Sequence, residues 1–277
     1  MEADGALAVS MEPDGHEDLL DPYPPTQVLW RSLVVHGLYP VSVDLVPTVA
    51  ALNEYTESAR ASLESQVSLA RVDDRDWVQA VNEGFKPIQV GDRLWVCPTR
   101  CTPPDPDAIN IRLDAGPAFG TGTHPTTRMC LDFLSRHPLT QRGVLDYGCG
   151  SGVLALAALG LGARHAWAVD VDPRALECTR ANAAFNGLKD RLCTSAPENL
   201  DAAVAADVVI SNILAETLIE FAVHLSRLTR PGGWLALSGI LTHQAAQVAA
   251  HFPHFDFSER RSDDWVLLTA PKGPRSS

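Results

Sequence analysis

The sequence predicts an α/β fold, a largely parallel sheet covered by helices on both faces, with a small α+β unit ahead of it. Three observations carry this prediction. From about Phe119 onward, apolar strands alternate with amphipathic helices. The stretch Val144-Leu145-Asp146-Tyr147-Gly148-Cys149-Gly150-Ser151-Gly152 reads as a strand entering a glycine turn that opens a helix. A second apolar run, Ala166-Trp167-Ala168-Val169, then ends in Asp170, completing a strand, turn, helix, strand, acid series.

Taken in order, the first thirty residues contain no Lys or Arg but do contain Glu2, Asp4, Glu12, Asp14, Glu17, Asp18 and Asp21, which argues against a secretory or basic transit peptide. Residues 1–25 are expected to be an acidic tail without fixed structure. Residues 26–75 are expected to form the small α+β domain: a helix from Thr26 to His36 stopping at Gly37, a strand through Val41, Val43 and Leu45, and a helix with apolar residues at Leu52, Tyr55, Ala59 and Leu63. Residues 76–118 read as a linker helix opened by Asp76-Trp77 and a hairpin, Ile88-Gln89-Val90 with Leu94-Trp95-Val96, closed by Gly91-Asp92. Ile109, Ile111 and Leu113 add one more strand.

Residues 119–277 form the main domain. Asp172 caps a helix with Pro173 in its first turn, and Gly187 follows its end. Asp207-Val208-Val209-Ile210 is the fourth strand. Leu214, Leu218, Phe221, Ala222, Leu225 and Leu228 make one helical stripe, ended by Pro231-Gly232-Gly233 and followed by a strand from Trp234 to Leu237. Segments around Phe255-Phe257 and Trp265-Leu268 are expected as a closing antiparallel pair.

Composition excludes several function classes. With 34 acidic against 22 basic residues, the surface should repel nucleic acid. The run Val153 to Ala163 is too short to span a bilayer, so no membrane segment is expected. The six cysteines are scattered without a C-x-x-C pair, which suits reduced thiols in the cytoplasm better than disulfides or zinc.

The glycine turn narrows the ligand. Helix N–H groups after Gly152 can meet a carboxylate or phosphate, and Asp170 can grip ribose hydroxyls. The spacing is G-x-G-x-G, without the later glycine of a dinucleotide fingerprint, which favours S-adenosylmethionine over NAD. A tight turn without ligand, an NAD-dependent oxidoreductase and a noncatalytic module with the same fold are the competing readings. Cys149 and Ser151 fit as small residues within the turn, since no base stands beside either.

Longer segments carry a family resemblance. Leu113 through Thr127 (LDAGPAFGTGTHPTT), the glycine turn, Asn212-Ile213-Leu214-Ala215 and Leu237-Ser238-Gly239-Ile240-Leu241 resemble the bacterial ribosomal protein L-eleven methyltransferases, as do Asp76-Trp77 and the stretch from Gly84-Phe85-Lys86-Pro87 to Gly91-Asp92-Arg93-Leu94-Trp95. The resemblance runs from about Asp76 to the C-terminus. It implies a seven-stranded, Rossmann-like S-adenosylmethionine-dependent methyltransferase domain behind a small α+β domain that recognises ribosomal protein L-eleven, and methylation of lysine side chains and an N-terminal α-amine. The alternative is a related enzyme acting on another protein lysine or a small-molecule amine.

The resemblance places cofactor contacts at Thr127, Gly148, Asp170 and Asn212, to which the turn adds Gly150 and Gly152. Thr127 can meet the methionine end of the cofactor or satisfy its own helix start. Asn212 orients the amine through an amide oxygen, or opens the next helix as an Asx turn. Phe119 and the loop through His124 read as a lid over the methyl group. His124 is either a general base or the cap of the helix behind Pro125. One departure stands out: Glu216-Thr217 occupies the place where the family usually has Gly-Pro.

Overall fold

A computed structural model describes residues 8–13, 33–40, 43–50, 85–114 and 122–273. The chain divides into two compact units, Met1–Asp73 and Asp74–Ser277.

In the first unit, β1 (Ala8–Pro13) pairs antiparallel with β2 (Leu33–Leu38), Ala8 opposite Leu38 and Pro13 opposite Leu33. This corrects two expectations. The tail predicted over residues 1–25 contains a strand, because Ala8-Val9-Ser10-Met11 is an apolar island between the acids. The helix expected from Thr26 to His36 gives way over its described end to β2, where Val34 and Val35 are β-branched and suit a ladder. Residues 43–45, expected as part of a strand, instead lead into a helical stretch over residues 46–50. The Asp44 carboxylate accepts from Val46 N–H at 3.0 Å, a start signal reinforced by Pro47 in the first turn. The helix expected through Leu52, Tyr55, Ala59 and Leu63, and the one opened by Asp76-Trp77, lie outside the described residues.

The second unit opens with β3 (Ile88–Val90) and β4 (Leu94–Pro98), the expected hairpin, and adds β5 (Ile109–Leu113) parallel to β4. Ile88, Val90, Leu94, Val96, Ile111 and Leu113 are buried in one core with Met129, Leu131 and Leu154 of the main domain. The helix over Pro173–Phe185, with its cap Asn186, gives β5 a substitute neighbour. Arg112 N–H donates to Asn186 Oδ1 at 2.8 Å and Asp114 N–H to Asn182 Oδ1 at 3.2 Å. Two asparagines one helical turn apart thus supply acceptors along a strand edge.

The main sheet contains β6 (Gly143–Tyr147), β7 (His165–Val169), β8 (Leu192–Ser195), β9 (Ala206–Asn212), β10 (Thr229–Leu241), β11 (Ser258–Ser262) and β12 (Trp265–Pro271). Its order is β8-β7-β6-β9-β10-β12-β11, parallel from β8 to β10 and antiparallel across β10-β12 and β12-β11. The edge strand of the closing pair sits later than expected. Phe255 and Phe257 stack within the core beside Phe252, and the charged Ser258-Glu259-Arg260-Arg261-Ser262 becomes the edge, where charge discourages pairing with another sheet.

Helices cover both faces: α1 (Pro125–Arg136), α2 (Val153–Gly160), α3 (Pro173–Phe185), α4 (Ala215–Glu220), α5 (Ala222–Leu228) and α6 (Ala245–Ala250). The stripe from Leu214 to Leu228, read as one helix, is broken at Phe221 into α4 and α5. Strand order turns back at β6, whose neighbours β7 and β9 are reached by connections on opposite sides. That crevice, at the carboxyl ends of these strands, is where an open α/β sheet binds its ligand.

Candidate active site

Three segments meet at the crevice: the Gly148–Gly152 turn after β6, Asp170 after β7 and Asn212 at the end of β9. Ser211 Oγ donates to the carbonyl of Tyr147 at 2.7 Å and ties the first and third together. The turn takes a left-handed backbone at Gly148, Gly150 and Gly152, with φ of 81°, 53° and 81°. Packing within the protein also demands two of these glycines. A Cβ on Gly148 would stand 2.2 Å from Ile213 Cγ2, and one on Gly152 2.7 Å from Thr179 Cγ2.

Asp170 organises the turn. Its Oδ2 accepts from Gly150 N–H and its Oδ1 from Asp172 N–H, both at 2.9 Å. A carboxylate offers about four acceptor sites, so capacity for ribose hydroxyls is left after these two bonds.

Asp146 is a functional candidate that sequence reasoning alone misses. It is fully buried, accepts from Ala155 N–H in the first turn of α2 at 3.1 Å, and has no partner for Oδ1 among the described residues. Burial pushes its carboxyl up to about 7; the Ala155 N–H opposes this and the nearby Asp170 adds to it. A charged residue interrupting the apolar Val144-Leu145 run is the available signal. Burial and the Asp146 carboxyl also raise the Cys149 thiol, which leaves it an unreactive packing group.

On the other side of the crevice, Asn212 Nδ2 donates to Thr127 Oγ1 at 3.1 Å, joining two expected site residues 85 positions apart. Thr127 is 1% exposed in the first turn of α1. His124 caps that helix: its Nδ1 lies 3.4 Å from Thr126 N and 2.7 Å from Thr126 Oγ1, and its ring meets Trp265 edge-on. Phe119, the expected lid, lies outside the described residues. Ile213 is wedged between strands, since a Cβ on Gly239 would stand 2.2 Å from its carbonyl oxygen. Glu216, in the first turn of α4, accepts from Gln244 Nε2 at 3.4 Å, while Gln244 Oε1 takes the N–H of Leu241.

The arrangement suits a ligand with a ribose and an amino-acid end: a left-handed glycine turn at a helix start, a carboxylate with spare acceptor sites, and a buried acceptor without a partner at Asp146. The sequence of residues 1–273 matches the family model described as ribosomal protein L11 methyltransferase. The chain belongs to the ribosomal protein L11 methyltransferase family.

Two relatives with that name make the match concrete. The protein from Marinobacter nauticus is 43% identical over 267 residues, covering 96% of this chain and 90% of its own. That from Shewanella amazonensis is 40% identical over 268 residues, with the same coverages. A crystal structure of ribosomal protein L11 methylase from Lactobacillus delbrueckii subsp. bulgaricus aligns with a TM-score of 0.62 at 29% identity, over 68% of this chain and all of that one. Membership makes the chain a methyltransferase with S-adenosylmethionine as its cofactor. The match also reaches residue 1, beyond the Asp76 boundary of the motif resemblance.

Proposed function

We propose that this chain methylates amines of ribosomal protein L11, both lysine side chains and the N-terminal α-amine, with the ribosome-assembling cytoplasm as its place of action. The observation that carries this reading is the family match over residues 1–273, and the Asn212–Thr127 pair at the end of β9, in the same crevice as the glycine turn and Asp170, agrees with it. S-adenosylmethionine, when bound, supplies a methyl group on a sulfonium. Gly148, Gly150, Gly152 and Asp170 would hold it, with Asp146 as a further polar partner and Thr127 and Asn212 facing its reactive end.

In-line transfer asks the protein mainly to place a neutral amine, and positioning alone is worth up to roughly 7–11 kcal/mol. A free lysine side chain, which titrates near about 10.4, must lose its proton first, at a cost of roughly 4.6 kcal/mol at neutral pH. The amide oxygen of Asn212 orients such an amine without the full negative charge that would hold the proton on. Phe119 would shield the methyl group from water. His124 serves the site as the cap of α1, which sets where Thr127 stands.

Glu216, in the first turn of α4 and in contact with Gln244, would offer a negative charge to a cationic acceptor segment. The test is labelled S-adenosylmethionine incubated with dissociated ribosomal proteins. Label on L11 alone supports the reading, label on another protein or only on small amines replaces the substrate, and no label contradicts it.

A further inference from the structure

We infer that Thr179 and Asn182 of α3 are positioning residues that hold the glycine turn in the shape the cofactor meets; this rests on the reading of Gly148–Gly152 as the turn that holds S-adenosylmethionine. Alternate glycines let a backbone pass close to a ligand. They also leave its peptide planes free to turn over, because glycine adopts positive and negative φ about equally. Such a turn keeps one shape only when groups outside it bind its N–H and carbonyl groups.

The helix α3 supplies the partners for the carbonyls. Thr179 is fully buried and Asn182 is 5% exposed, three residues apart on one face of the helix. Thr179 Oγ1 donates to the carbonyl of Gly150 and Asn182 Nδ2 to the carbonyl of Ser151, both at 2.9 Å. A carbonyl oxygen only accepts, so the direction of each bond is settled by its partner. The N–H of Gly150 goes to Asp170. Three successive peptide planes, from residue 149 to residue 152, are therefore each held by a side chain from outside the turn. Thr179 also fills the space beside Gly152, where an added Cβ would stand 2.7 Å from its Cγ2.

Asn182 carries a second load with the same amide. Its Oδ1 accepts from the N–H of Asp114 at 3.2 Å and its Nδ2 donates to the carbonyl of Asp114 at 3.3 Å, which ties the end of β5 to the turn. Asn186, one helical turn on, grips β5 in the same way: it accepts from the N–H of Arg112, and its Nδ2 donates to the carbonyls of Arg112 and Asn182. Both asparagines thus support the strand edge. Of the two, Asn182 is the one that also bonds to the turn, and this separates a positioning role from support of the fold.

The test compares Asn182→Ala with Asn186→Ala in the full chain. Denaturant midpoints report the loss at β5, and calorimetry with S-adenosylmethionine, at a temperature where each variant is folded, reports the turn. The expected result is a lower midpoint for both, with Kd raised by about fivefold or more for Asn182→Ala and within about twofold of wild type for Asn186→Ala. A second pair isolates the other residue. Thr179→Val removes the donor at nearly constant shape and is expected to raise Kd by about fivefold or more, while Thr179→Ser keeps the hydroxyl and stays within about twofold. Equal Kd shifts in the two asparagine variants, wild-type affinity in Asn182→Ala, or Thr179→Val binding as tightly as Thr179→Ser overturns the proposal, since α3 would then only support the fold. If Asn182→Ala does not fold, the Thr179 pair decides by the same criterion. Asp170→Ala with wild-type affinity removes the turn as the holder of the cofactor, and the proposal falls with that reading.

Discussion

Asp170 holds the β6 turn through the N–H of Gly150 and its own loop through the N–H of Asp172, so it joins two strands before any ligand arrives. Asp170→Ala is expected to weaken S-adenosylmethionine binding by about tenfold or more, measured by calorimetry, because turn geometry and ribose acceptors are lost together. Asp146 makes a different prediction. An unfolded aspartate carboxyl titrates near about 3.9, whereas the folded one is pushed up to about 7. Between those values the folded state keeps a proton that the unfolded state has lost, so this residue's contribution to stability falls as pH rises from about 4 to about 7. The Tm of Asp146→Asn minus that of wild type, in the absence of cofactor, should therefore increase from pH 5 to pH 8; a constant difference would contradict the assignment. At this scale the sequence is informative where chemistry leaves a pattern. The alternate glycines, the acid ending β7 and the Asn212 segment can be read directly. The burial of Asp146 and the choice of Thr127 as hydrogen-bond partner of Asn212 depend on tertiary distances that no spacing encodes.

Elements explain why the site is rigid. Gly148→Ala would place a methyl group against Ile213 at a φ of 81°, and Gly239→Ala would press on the Ile213 backbone at a φ of 83°. Each is expected to destabilise the fold by about 1–3 kcal/mol, read as a lower denaturant midpoint, and to impair turnover by moving Asn212. Asn182→Ala should cost about 1–3 kcal/mol in the same measurement, since it strips the edge of β5 of a buried partner. Strands with apolar alternation and helices with Asp, Pro and Gly at their ends are legible in the sequence, as at Asp172, Pro173 and Gly187. The misses have local causes. Strand β8, Leu-Cys-Thr-Ser, is too short and polar to signal itself, and β1 and β2 pair across a span of sequence that masks their common pattern. The break at Phe221 interrupts an apolar stripe that continues unbroken in sequence.

The whole molecule joins a first unit, Met1–Asp73, to a second one that carries every described residue of the proposed site. The β3–β5 segment belongs to the core of the second compact unit, Asp74–Ser277. Deleting residues 1–73 is expected to leave S-adenosylmethionine affinity within about threefold while abolishing methylation of L11; retained methylation would place substrate recognition in the second unit. The fold class and cofactor are legible because the glycine turn, Asp170 and the alternating elements fix local geometry. The choice of acceptor is carried by the resemblance of long segments, since acceptor recognition spreads over surfaces without a short motif. The most direct measurement of the central claim is mass spectrometry of purified L11 after incubation with this protein and S-adenosylmethionine, alongside Asn212→Ala. The expected result is whole methyl groups added at lysine or N-terminal amines by the wild type and a loss of at least about tenfold in rate for the variant. Unmodified L11 in the presence of protein that binds S-adenosylmethionine, or an Asn212→Ala variant as fast as wild type, would contradict it.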